Sequence, residues 1–65
     1  MIMKKSDIWD SLIKIRDENR KSFNYSLAVA LAKIQIDGYL SACIDYGVIT
    51  KKDKENIIDD FEKYW

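Results

Sequence analysis

The sequence predicts an all-α fold, a small three-helix domain with helices over about 6–21, 25–46 and 50–65. Three observations carry that expectation. Proline is absent and the only glycines are Gly38 and Gly47, so little interrupts a helix. No stretch alternates apolar and polar residues over a useful length, as a half-buried strand would. Apolar residues instead recur at helical spacing in three runs, parted by a polar stretch near 16–22 and by the Gly47 hinge.

Ser6 reads as the N-cap of the first helix, with Asp7 and Asp10 suited to the positive end of its dipole. Ile8, Trp9, Leu12, Ile13 and Ile15 make its apolar stripe. The segment Arg16–Ser22 is wholly polar but holds no strong breaker. A break is therefore expected between Arg20 and Tyr25, with Ser22 or Asn24 as the next cap, although one continuous helix from Ser6 to Tyr46 is the competing arrangement.

The stretch Tyr25–Tyr46, YSLAVALAKIQIDGYLSACIDY, reads as the central helix, packed on two sides. Leu27, Ala30, Leu31 and Ile34 share one side of its first half. The same side continues as Asp37, Ser41 and Asp45, while the apolar side of the second half is Ile36, Leu40, Cys43 and Ile44. The burial direction is thus expected to change near Gly38, with a close approach there. Gly47 is the natural C-cap because glycine adopts the left-handed conformation without strain. Thr50-Lys51-Lys52-Asp53 has the form of a capping box opening the third helix. Its stripe is Ile57, Ile58, Phe61, Tyr64 and Trp65, which predicts a docked C-terminus.

Sixty-five residues allow one domain (1–65) and one modest core. Chains of this size bury too small a fraction of their surface to be very stable alone, and commonly lean on disulfides, a metal or association. One cysteine and no histidine exclude an internal disulfide and the usual Cys/His zinc sites. Association is the support left open, and a 48% apolar share in so small a chain points the same way. The chain is therefore expected to form a homo-oligomer or to bind another protein.

Eleven basic residues balance eleven acidic ones. A nucleic-acid binder normally shows a basic excess, so nucleic acid is not an expected partner. No membrane partner is expected either: the N-terminus lacks an apolar signal region, and Lys33, Gln35 and Asp37 interrupt the central run. A lone thiol fits a reducing cytoplasm. The lean toward Ile, Lys, Asp and Tyr fits AT-rich coding, as in a low-GC bacterium, its phage or a mobile element.

Catalysis lacks its usual parts. There is no imidazole, no glycine-rich phosphate loop and no partner for the serines. Asp59 and Asp60 are adjacent and so diverge by about 100° on a helix, and Glu62 completes a solvated acidic face. No catalytic, cofactor-binding or metal-binding residue is assigned. Cys43 reads as a buried, inert thiol. Cys43, Gly47 and Val48 suit the turn of a helix-turn-helix, but Asp53 and Asn56 fall where its recognition helix needs apolar residues. Gly47-Val48-Ile49-Thr50 before a charged helix resembles the turn of short helical hairpins, SHOCT-type modules of bacterial proteins among them. That resemblance covers a handful of residues and implies a C-cap, a hinge and an N-cap.

Lysines crowd the start of the third helix and acids its end, the reverse of what the dipole favours. A complementary surface on a partner, or on an antiparallel second copy, would explain that order. Tyr25, Tyr39 and Tyr46 share a stripe with Ala28, Ala32 and Cys43; tyrosine suits interfaces, and packing of the stripe into the core is the equal alternative. The candidate interaction residues are Tyr25, Tyr39, Tyr46, Trp9, Tyr64 and Trp65. The expected function is a non-enzymatic protein-interaction module that inhibits or bridges a host defence or regulatory protein by steric docking. A small DNA-binding regulator and an oligomeric nucleotide-sequestering protein are the alternatives.

Overall fold

A computed structural model describes residues 5–65. These form α1 (Lys5–Ser22), α2 (Tyr25–Asp45) and α3 (Lys51–Phe61), closed by a 3-10 turn at Glu62–Tyr64, with no strand among the described residues. The all-α, three-helix architecture is as the sequence predicts.

Ser6 already lies inside α1, so it is not the cap; the start of the helix borders on residues outside the described range. The break before α2 is real and short. Asn24 is extended (φ −65°, ψ 165°) and its side-chain oxygen accepts from the Leu27 amide. An N-cap of this kind satisfies one of the donors a helix start leaves unpaired. The chain doubles back over two residues, Phe23 and Asn24, which sets α1 and α2 as a hairpin.

Helix α2 ends in a full Schellman motif. Gly47 takes φ 74°, its amide donates to the Ile44 carbonyl at 2.9 Å, and the Val48 amide donates to Cys43 at 2.9 Å. A side chain at φ 74° would be strained, so the sequence needs glycine there. Thr50 then closes the predicted capping box: its hydroxyl accepts from the Asp53 amide at 3.1 Å while the Asp53 carboxylate accepts from the Thr50 amide at 3.0 Å.

The core gathers Ile8 and Leu12 of α1, Ile36, Leu40 and Cys43 of α2, Ile49 of the hinge, and Ile57 and Phe61 of α3. Trp9, Ile13, Ile15, Tyr39, Ile44, Ile58 and Trp65 pack around it, half-buried. Helix α2 is the shared wall, with α1 and α3 against different sides of it, as expected for a helix packed on two sides.

The way α2 packs corrects two expectations. Its buried residues run as one stripe, Ala28, Ala32, Ile36, Leu40 and Cys43, with no change of direction at Gly38. Gly38 is exposed, and a Cβ placed on it would meet nothing within 4 Å. Nothing among the described residues therefore crosses closely at Gly38. The reason is direction: α3 passes at this level but on the side of Asp37, from which Gly38 is turned by about 100° around the helix.

Candidate interaction surface

A helix that is apolar all round must meet apolar partners on more than one side or leave a side uncovered. In α2 the second case holds over the first half. Leu27 is 44% exposed and Ile34 71%, Ala30 is exposed and Leu31 half-buried. These four lie at i, i+3, i+4 and i+7, hence on one line along the helix. The line points away from the core stripe, because Ala28, Ala32 and Ile36 stand on the opposite side. Gly38 and Asp45, both exposed, carry it into the second half, with exposed Ala42 on one flank and half-buried Ser41 on the other. Phe23, 44% exposed, sits at the turn where the line begins.

The side facing α3 is polar and occupied. Lys54 of α3 places its ammonium 2.7 Å from the Asp37 carboxylate and donates to the Ser41 hydroxyl at 3.0 Å. Farther along, Lys33 of α2 stands 3.8 Å from Glu62. The reversed charge order of α3 therefore has an answer inside the molecule. α2 runs antiparallel beside it and sets an acid against the lysine-rich start and a lysine against the acidic end. Exposed pairs of this sort contribute little each, up to about 1 kcal/mol, but they fix the register of α3 on α2. Beside them a groove of about 340 Å³ is lined by Ser41, Ile44, Asp45, Lys51, Lys54, Glu55 and Ile58.

The six candidate interaction residues divide into two groups. Trp9, Tyr64 and Trp65 come together around Phe61. Trp9 lies 5.5 Å from Phe61 and 5.6 Å from Tyr64 by ring centroid, and Trp65 meets Phe61 edge-on at 5.0 Å. Offset and edge-on pairs of this kind stabilise beyond their buried area. Arg16 of α1 locks the cluster by donating to the Tyr64 carbonyl at 2.6 Å. Lys33 lies over the Trp65 ring at 5.7 Å. The Trp65 indole nitrogen is buried with no hydrogen-bond partner among the described residues. This end of the molecule is an internal staple joining α1 to the end of α3, with Tyr64 half open to solvent.

Tyr25, Tyr39 and Tyr46 do not form one open stripe. The stripe they share is the buried side of α2, so its middle is core: Ala28 and Ala32 are buried and Tyr39 is half-buried against the cluster. Only the ends emerge. Tyr25 is 62% exposed with the Arg20 guanidinium 5.9 Å over its ring, and Tyr46, the C-cap residue, is 85% exposed.

Asn19 is the residue that sequence reasoning missed. It falls in the polar stretch where the α1 stripe was expected to end, yet it is the buried polar side chain of the described residues. Its amide nitrogen donates to the Ile15 carbonyl at 2.8 Å and to Gln35 of α2 at 3.0 Å. The available signal was its spacing, four beyond Ile15 on the same side as Ile8 and Leu12.

Cys43 is buried and free. Among the described residues no group of three metal-ligating side chains gathers. By length and composition alone α2 could cross a membrane, a test that the core helix of a bundle also passes. Comparison of the chain with protein-family models, curated proteins and solved structures finds no match.

Proposed function

We propose that the protein is a non-enzymatic interaction module that works by steric docking, and that the outward line of α2 is its contact surface. One observation carries the reading: Leu27 and Ile34 stand open to solvent on the outward side of the most apolar helix. A side chain such as Ile34 contributes nothing to the core from that position. Burying it against a partner would gain on the order of 1.5–3 kcal/mol. Absence of histidine supports the non-enzymatic part. The sharpest form of the reading is an accessory protein of a phage or mobile element that blocks or bridges a host defence or regulatory protein. AT-rich residue usage and small size support that form.

The test is affinity capture from a lysate of the source organism, with wild type and Ile34→Glu immobilised in parallel. The wild type is expected to retain a partner that the variant loses while circular dichroism shows both equally helical. Identical retention by the two would contradict the assignment of the surface.

One observation favours a second reading, sequestration of a small ligand such as a nucleotide. The groove between α2 and α3 reaches the lower end of ligand-pocket volumes and carries Lys51 and Lys54. A nucleotide-dependent rise in melting temperature would be its signature. DNA binding draws less support, because Asp53 and Glu55 interleave the lysines and Lys54 is held by Asp37.

A further inference from the structure

We infer that the occupant of the outward line of α2 is a second copy of this chain, running antiparallel about a two-fold axis level with Gln35. The inference rests on the interaction reading and adds the partner and its geometry. Three features of α2 select this arrangement.

The first is charge. Tyr25–Asp45 has no acid in its first turn and no base in its last, so neither end of its dipole is answered from within the helix. Asp45 lies in the last turn, where a carboxylate is disfavoured. Gln35 is the midpoint of the helix, and an antiparallel copy centred there brings the positive N-terminus of each α2 level with Asp45 of the other. A parallel copy in register would stack Asp45 on Asp45.

The second is shape. The bulky members of the line, Leu27, Leu31 and Ile34, fall in the first half, and Gly38, flanked by Ala42, in the second. Turning one copy end for end fits bulk against small: the Leu31 side chain, leaning toward its own N-terminus, comes to the hollow between Gly38 and Ala42. This gives an isologous, closed contact in which the same patch serves both partners.

The third is Gly38 itself. It faces open space among the described residues, and a mid-helix glycine weakens the helix. A second backbone passing close by gives it a reason that the isolated chain does not.

Sedimentation equilibrium of the full chain between micromolar and several hundred micromolar concentrations tests the inference. Wild type is expected to approach twice the 7.7 kDa chain mass, and Ile34→Glu to stay monomeric with unchanged helicity. Orientation is read by oxidative cross-linking. Ile34→Cys, next to the axis, should cross-link, whereas Leu27→Cys should not, because its two copies stand about 24 Å apart along the helix. Cys43 is buried and does not compete. Preferential cross-linking of Leu27→Cys would overturn the antiparallel arrangement. A monomeric wild type would overturn the second copy, whether it proves to float with anionic lipid vesicles or to lose a captured heterologous partner on Ile34→Glu. The last outcome would leave the interaction reading standing. A dimer that persists in Ile34→Glu overturns both.

Discussion

Leu12 and Ile34 show how far position outweighs residue type in this molecule. Both are large aliphatic residues on helices, yet Leu12 is 0% exposed and Ile34 71%. Truncating a buried leucine costs about 2–5 kcal/mol, against a total stability on the order of 0.05–0.15 kcal/mol per residue. Leu12→Ala is therefore expected to unfold much of the population at 37 °C, read as loss of the cooperative thermal transition. Ile34→Ala should melt within a degree or two of wild type in dilute solution. Equal destabilisation by the two would mean that the outward line of α2 is wrongly drawn. The sequence made Leu12 legible because it sits centrally in the α1 stripe. It could not rank Ile34, since α2 is apolar on nearly every side and periodicity then carries no direction. Asn19 failed for the opposite reason: a polar residue on the inward side is invisible to a search for apolar spacing.

Among the elements, α3 depends most on its local signals, because 11 residues make a marginal helix by themselves. Its capping box, its contact with α2 through Lys54, and the Phe61 cluster hold it in place. Thr50→Ala removes the side-chain acceptor for the Asp53 amide and should cost about 1 kcal/mol, seen as a lower denaturant midpoint with an unchanged slope. Thr50→Ser should recover most of that. No loss on Thr50→Ala would show that the packing of α3 alone sustains its start. The caps at Asn24, Gly47 and Thr50 were all readable from sequence, since each works through its own few residues. The end of α3 was less so. The last turn tightens to 3-10 geometry at Glu62–Tyr64, where Arg16, distant in sequence, takes the Tyr64 carbonyl. The reversed charge order of α3 was legible as an anomaly and suggested an antiparallel complement. Only the fold shows that α2 supplies that complement through Asp37 and Lys33.

At the scale of the whole molecule, α2 serves as wall and as proposed surface: its stripe from Ala28 to Cys43 builds the core, and its outward line is the face we propose for a partner. A chain this small gains stability from such a contact by mass action, so its melting temperature should depend on its concentration. Gly38→Leu separates the two roles of the helix. In the isolated chain the substitution replaces a poor helix former with a good one in open space, which should stabilise by somewhat under 1 kcal/mol. At the contact it fills the hollow that a second copy needs. The most direct measurement is the melting temperature of wild type and Gly38→Leu across a hundredfold range of protein concentration. The variant is expected to melt higher at dilution and to stay flat, while the wild type climbs with concentration and closes or reverses the gap. A wild type that melts at one temperature throughout, or a variant that climbs in parallel with it, would contradict the claim that a second copy of this chain covers the outward face of α2.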